Sequence, residues 1–351
     1  MKKLLAILLC LSMVMCCFVG CAEEAPADDQ GDANAPAETY ELVIGHVYAE
    51  TSLEHQQMLK LQELIQEKTN GAVEVSVYPA EQLGPEKDEC EQVVMGTLDV
   101  SFSEGSMWAT VVNKPALGVL GLPFQYAAGQ VPAMNETITT VVRGEYAKLA
   151  EGTGITPIFT VGSGMRHVLS AGDPILSMED MKGMKIRVPA VTLYVQIFEC
   201  LGANPTTTAF SECYQALQQG VVTGAEIDIP NMVQQNWQEV VSHLTYTYHL
   251  AALNIGFINT EKWESFPADI QDAIIEACIE AEEYSFELRA NADAEYLGTV
   301  TAAGVELHEL DGETLAAMKE ACQPIYDEFE SYEGCAALLD VVEEINAKYA
   351  K

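Results

Sequence analysis

Apolar and polar positions divide the chain into three parts. Lys2 and Lys3 precede an almost unbroken apolar run from Leu4 to Val19, which reads as a secretory signal and is short for a membrane span. Residues 22–39 then carry no large apolar side chain and are rich in Ala, Pro, Asp and Glu. Such a stretch cannot bury enough surface to offset ordering, and it is expected to be a flexible acidic tether. From Tyr40 onward, short apolar runs alternate with helical patterns.

Leu42-Val43-Ile44-Gly45 reads as a strand ending in a turn, and Leu53 to Thr69 follows a helical period closed by Asn70-Gly71. Val73, Val75 and Val77 alternate with Glu74 and Ser76, a half-buried strand. Pro85 to Gly96 predicts a helix with a glycine end, and Leu98 to Phe102 a further strand. The pattern restarts with strands over Ile155–Val161 and Met184–Val188, a helix over Phe210–Gln219 closed by Gly220, and a strand-like run Val221–Ile227. This alternation predicts crossover units, mainly parallel sheets and an α/β class with two domains. Residues 268–297 contain neither Gly nor Pro and follow Pro267, which suits a first helical turn. At 1.5 Å per residue that helix would be roughly 45 Å long, enough to run across both domains.

Composition narrows the partners. The 351 residues carry a formal net charge of −36, and losing Lys2 and Lys3 with the signal makes the rest more acidic still. Such a chain is repelled by nucleic acid and by anionic lipid surfaces. Of the ten cysteines, Cys10, Cys16 and Cys17 lie in the signal, residues 1–20, and Cys21 follows it directly. The other six, Cys90, Cys200, Cys213, Cys278, Cys322 and Cys335, form no C-x-x-C pair, so a zinc ribbon or thioredoxin-like site is not expected. Most lie in apolar helical settings, where cysteine acts as a small hydrophobe, and their disulfide state is not legible. No cofactor and no metal is implied.

Phe18-Val19-Gly20-Cys21 resembles a bacterial lipobox, which implies lipid on Cys21 and an extracytoplasmic protein held at the membrane by its acyl chains. Further on, Met181-Lys182-Gly183-Met184-Lys185-Ile186-Arg187-Val188-Pro189, Leu201-Gly202-Ala203-Asn204-Pro205 and the run from Phe210 to Val222 stand in order. Tyr78-Pro79-Ala80-Glu81-Gln82-Leu83-Gly84, Leu122-Pro123-Phe124 and Trp263-Glu264-Ser265-Phe266-Pro267 add to them. Together these blocks resemble the substrate-binding proteins of TRAP transporters, the DctP type, over about Glu41 to Gly304. The resemblance implies a two-domain clamshell of the periplasmic-binding-protein kind, with a long helix spanning both domains. It assigns residues 40–163 with about 252–293 to one domain and 164–251 with about 294–351 to the other. It further implies a small organic carboxylate bound in the cleft, and a small and a large membrane subunit as partners, driven by an ion gradient.

Arg187 is the central candidate. Met184, Ile186 and Val188 face one side of their strand and Lys185 and Arg187 the other, with Pro189 ending the ladder. An arginine at a strand end of an α/β sheet points toward the crevice where ligands bind, and its planar fork matches a carboxylate. In the resemblance, the matching arginine holds the ligand carboxylate. Arg166 matches the family's second cleft arginine, Phe210 an aromatic that lies along the ligand, and Glu104 a polar cleft position. The bland readings are an interdomain salt bridge, core packing and a solvated acid, respectively. The chain has only four arginines, and Arg143 and Arg289, in acid-rich helical stretches, are expected to form surface pairs. His46 follows the first strand and is a weaker candidate. One departure stands out: after Gly224-Ala225-Glu226, Ile227 occupies the position where many relatives place a ligand-contacting asparagine, and Asp228 is the candidate replacement.

The competing readings are a secreted α/β hydrolase, an adhesive lipoprotein, and the binding protein of an ATP-driven importer. The chain has no G-x-S-x-G elbow, no H-E-x-x-H and no phosphate loop, so it is not expected to be an enzyme. C4-dicarboxylates, sugar acids, keto acids and aromatic acids all remain open as ligands.

Overall fold

The computed structural model describes residues 39–127, 130–162 and 164–350. The signal run, Cys21 and all of the tether but Thr39 lie outside the described residues. In chain order the strands are β1 (Tyr40–Gly45), β2 (Val73–Tyr78), β3 (Val100–Glu104), β4 (Ile155–Val161), β5 (Met165–Ser170), β6 (Lys185–Val188), β7 (Asn204–Thr207), β8 (Gly224–Ile227), β9 (His243–Ala251), β10 (Asn254–Asn259) and β11 (Glu306–Glu309). They form a five-stranded sheet, β2-β1-β3-β10-β4, and a six-stranded sheet, β11-β9-β5-β8-β6-β7. The chain therefore passes between sheets after β4, again at Ala252–Leu253 before β10, and a third time through the helices between β10 and β11.

Local chemistry accounts for the early elements. Ser52 caps the helix Leu53–Lys68 by accepting from the His55 N–H at 3.0 Å, and Glu54 and Lys68 complement its dipole. The helix stops where Asn70 (φ 50°) and Gly71 (φ 77°) turn left-handed. In β2, Val73 and Val75 are buried and Glu74 is exposed, as a half-buried strand requires.

Each sheet is mainly parallel, as the alternation of elements predicts, with one reversed strand, β10 in the first and β5 in the second. β1 pairs in parallel with β2 and β3, but β10 pairs antiparallel with both β3 and β4. β6 is parallel to β7 and β8, and β9 to β11, while β5 is antiparallel to β8 and β9. The antiparallel members are strands that enter straight from the other sheet, without a crossover helix to reverse them. β10 fits between β3 and β4 because a Cβ at Gly256 would fall 2.2 Å from the Phe159 ring.

The single helix expected over 268–297 is two. Ala268–Arg289 packs on the helix Leu53–Lys68 and on β4, whereas Ala292–Ala302 packs on the helix Ile229–Gln234 that follows β8. The helix is interrupted at Ala290–Asn291, where Asn291 leaves the helical region (φ −123°, ψ 8°), and the two halves pack on different neighbours. The C-terminal helix Cys335–Tyr349 lies against Val131–Val141 and the short 3₁₀ segment Pro115–Gly121. Among the described residues no helix is long and apolar enough to cross a membrane, and the cysteines Cys90, Cys200, Cys213, Cys278, Cys322 and Cys335 are free thiols.

Candidate ligand-binding site

β3, β6 and β8 end at a common crevice, and β5 begins there. Glu104 is the last residue of β3 and begins the turn into the helix Gly105–Val111. A Cβ at Gly105 would lie 2.4 Å from both the Leu117 carbonyl oxygen and Tyr146 Oη, so only glycine permits that tight exit from the strand. From the second sheet, Arg187 and Pro189 project at the end of β6, Ile227 at the end of β8 and Arg166 at the start of β5. With Tyr48, Glu86, Tyr194, Phe210 and Asn231 they line a cavity of about 30 Å³. That is room for roughly two waters. A wider hollow, about 700 Å³, lies among the C-terminal helices and is lined by Gln125, Tyr326, Leu339 and Glu343, without a cluster of buried charges.

The two cleft arginines differ in their partners. Arg166 Nε and Nη2 donate to the Glu226 carboxylate at 2.5 and 2.7 Å, and Nη1 donates to Glu104 Oε1 at 3.1 Å. Its fork is filled by protein acids, and through Glu104 it ties the second sheet to the first. Arg187 Nε and Nη2 both donate to the Thr208 carbonyl, at 3.0 and 2.6 Å. Its guanidinium lies 5.9 Å from the Phe210 ring centroid and 6.0 Å from that of Trp237. Among the described residues, Arg187 alone of the four arginines has no carboxylate within ion-pair distance: Arg143 pairs with Glu282, Arg166 with Glu226 and Glu104, and Arg289 with Glu54.

The Arg143 and Arg289 pairs are not the surface pairs expected. Glu282 and Glu54 are buried, and so is the side chain of Arg289, because both arginines lie at packed interfaces of the helix Ala268–Arg289.

The acids show what the cavity favours. Burial pushes the Glu104 carboxyl up to about 7, against the opposing pull of Arg166 and of the hydrogen bond donated by Tyr194. Burial also raises Glu86, which accepts from Ser103 Oγ at 2.7 Å. Burial works in the same direction on Glu226, but Arg166 and His249 outweigh it and hold that carboxyl below its usual range. The cavity therefore holds one cation with no carboxylate in ion-pair contact, near enough to Glu86 to pull on its carboxyl, together with two acids whose proton burial favours.

Arg187, Arg166, Phe210 and Glu104 come together in this cavity, and two further candidates do not line it. His46 is fully buried behind Tyr48 and Phe102, where its Nε2 shares a proton with His55 Nδ1 at 3.0 Å. Burial, then the neighbouring His55, lowers its pKa to about 3. Asp228 caps the helix Ile229–Gln234, accepting from the Asn231 N–H at 3.0 Å and from Asn231 Nδ2 at 2.9 Å. Asn231, not Asp228, lines the cavity and supplies an amide one turn beyond Ile227. Sequence reasoning missed Asn231, Tyr48, Glu86, Tyr194 and Glu226. Asp-x-Pro at 228–230 is a readable helix start, so the capping role of Asp228 was accessible. The tyrosines left no such signal.

Comparison with known proteins gives one family. Residues 44–332 match the family model for bacterial extracellular solute-binding protein, family 7 (DctP). A solute-binding protein of Roseobacter denitrificans is 32% identical over 290 residues, covering 81% of this chain and 86% of that protein. The C4-dicarboxylate-binding periplasmic protein DctP of Rhodobacter capsulatus is 30% identical over 312 residues, covering 88% and 91%. The crystal structure of a TRAP periplasmic solute-binding protein from Desulfovibrio salexigens, with bound orotic acid, superposes with a TM-score of 0.81 at 28% identity, over 88% of this chain and 99% of that one. That of the Roseobacter denitrificans protein, with bound L-galactonate, gives 0.77 at 28% identity, over 88% and 99%. The clamshell architecture is shared with these structures. With a family model matched over most of its length, the chain belongs to the bacterial extracellular solute-binding protein family 7, the DctP family.

Proposed function

We propose that the protein is the extracytoplasmic solute receptor of a TRAP transporter and that its ligand is a small hydroxylated monocarboxylate, a sugar acid in preference to a C4-dicarboxylate. The observation that carries this is the asymmetry of the cavity. Arg187 has no carboxylate in ion-pair contact, while Glu86 and Glu104 line the same cavity. A ligand carboxylate suits the arginine fork. Ligand hydroxyls can donate to the two acids and to the Asn231 amide oxygen, which accepts no hydrogen bond among the described residues. A second carboxylate beside Glu86 and Glu104 would push their carboxyls up further and require a proton to be taken up, whereas a hydroxyl requires none. The relatives' ligands, L-galactonate in one and orotic acid in another, are carboxylates of this size. That these relatives are solute-binding proteins favours this reading over a secreted hydrolase.

On this reading the two sheets are the cores of the two domains, and the three passages between them form the hinge. The receptor delivers its ligand to a small and a large membrane subunit driven by an ion gradient. The lipobox-like Phe18–Cys21 supports lipidation of Cys21 and a tethered, extracytoplasmic protein. Mass spectrometry of the native membrane fraction should find an acylated Cys21; an unmodified secreted N-terminus would exclude the anchor. Calorimetric titration with aldonates and uronates, against succinate, malate and fumarate, tests the ligand class. Aldonates or uronates should bind at least about tenfold more tightly, a difference of about 1.4 kcal/mol. A C4-dicarboxylate that binds more tightly than every sugar acid overturns it.

A further inference from the structure

At the edge of the six-stranded sheet, away from the ligand cleft, three side chains converge whose chemistry the transport function does not use. β11 runs parallel to β9 with Glu306 opposite His243 and His308 opposite Thr245. Glu306 and His308 are two residues apart on one strand and thus on one face, the face that His243 shares through its pairing with Glu306. His243 Nδ1 and His308 Nε2 lie 3.0 Å apart. Glu306 Oε2 lies 3.7 Å from the first and 4.0 Å from the second. The three ligand atoms fall within 4.8 Å of one another. The imidazoles are mostly covered, with side-chain exposures of 15% and 19%, while Glu306 is 70% exposed and free to swing.

We propose that His243, Glu306 and His308 form a binding site for a divalent transition metal, Zn(II) in the first instance. Imidazole and carboxylate donors suit Zn(II) and exclude Ca(II) and Mg(II), which take oxygen ligands. Zinc binds imidazole nitrogen at about 2.0–2.1 Å, so two nitrogens 3.0 Å apart subtend about 90–95° at the metal and reach tetrahedral geometry on separating to about 3.3 Å. The hydrogen-bonded imidazole changes tautomer, so that both nitrogens present lone pairs. Glu306 needs only a side-chain rotation, and water completes the fourth position from the open side. A metal here would clip the edge strand β11 to β9.

The test uses the purified full-length chain, without a histidine tag and freed of metal by chelator. Zn(II) alone is the titrant, with thermal melts recorded alongside. One equivalent should bind and raise the melting temperature, and EDTA should reverse the rise. Co(II) should give a spectrum without thiolate charge transfer, since none of the three donors is a cysteine, and a thiolate band would place the metal elsewhere and overturn the site. His243→Gln with His308→Gln should abolish this binding, and Glu306→Gln should weaken it at least about tenfold, the lower end of what even supporting residues contribute to metal sites. The glutamines keep a polar side chain at each position, and unchanged melting of the metal-free variants shows that the fold survives. The proposal is overturned if wild type binds less than half an equivalent, or if the double variant binds Zn(II) as wild type does. Either result would leave the histidines as an ordinary hydrogen-bonded pair.

Discussion

Arg187 and Glu89 show how differently a buried charged group behaves with and without a use. Arg187 is 2% exposed, flanked by aromatic rings and held by one carbonyl, so a ligand carboxylate would complete its hydrogen bonding in a largely dehydrated cleft. Removing one member of such a pair costs on the order of 2–5 kcal/mol. At about 1.4 kcal/mol per tenfold, Arg187→Ala should weaken binding roughly 30-fold to a few thousandfold. Arg187→Lys should recover only part of it, because an ammonium cannot form two parallel bonds. Lys60→Ala, which breaks only an exposed pair with Glu63, is the control that should bind as wild type. Arg143→Ala is unsuitable as a control, since it strands the buried Glu282. If Arg187→Ala stays folded and calorimetry finds it within about threefold of wild type, Arg187 is not the anchor. Glu89 is 1% exposed, its Oε1 has no partner, and burial first, then Glu86, raises its carboxyl from 4.5 to about 8. The folded state therefore holds this proton more tightly than the unfolded chain. The associated stability is fully present below about pH 4.5 and is lost as pH rises through about 8. Glu89→Gln keeps the neutral shape, so denaturant melts from pH 5 to 9 should show a flatter profile and greater stability than wild type at pH 9. Parallel profiles for the two proteins would refute the assignment.

At the scale of elements, the helix Ile229–Gln234 connects capping with the site. Asp228 satisfies the Asn231 N–H and also orients the Asn231 side chain, whose Nδ2 additionally donates to Glu54 at 2.9 Å. Glu54 in turn pairs with Arg289, so a six-residue helix is fixed to both sheets' layers at its first turn. Asp228→Ala should destabilise the protein by about 1–2 kcal/mol, the value of a lost cap. It should also weaken ligand binding, because the Asn231 amide loses its orienting acceptors. Asp228→Asn retains the acceptor and should keep most of the stability and affinity. If Asp228→Asn instead loses binding as severely as Arg187→Ala in the same titration, Asp228 contacts the ligand directly and the capping account fails.

For the whole molecule, the central quantity is the cavity volume of about 30 Å³. Ligand pockets typically run to about 300 Å³ or more, so the form described is closed more tightly than a loaded one can be. Contacts across the sheets close it: Arg166 to Glu104 at 3.1 Å, the hydrogen bond from Tyr194 to the same carboxylate and, outside the cavity, Ser211 Oγ to Glu81 at 2.5 Å. Entry therefore requires Glu104 to part from Arg166 or Tyr194, and ligand favours whichever form offers contacts from both sides. Small-angle scattering should give a larger radius of gyration for free Glu104→Ala than for wild type, free or ligand-saturated, because only the variant lacks both contacts to Glu104. If neither protein changes at saturating ligand and the two radii coincide, capture does not proceed by closure.

The sequence by itself determined the alternation of strands and helices, the stops at Asn70-Gly71 and Gly220, and the arginine at the end of β6. Each depends on periodicity or on backbone freedom within a few residues. Tertiary structure decided what depends on distant partners. β7 (Asn-Pro-Thr-Thr) has no apolar pattern and is a strand only through its register with β6. β10 is antiparallel because it arrives from the other sheet. The helix beginning at Ala268 breaks after Arg289, and the two halves pack on different neighbours. The roles of the two cleft arginines were likewise not local. Arg166 and Arg187 look alike in the chain, and only the arrival of Glu226 and Glu104 beside the first, from β8 and β3, leaves the second without a protein acid.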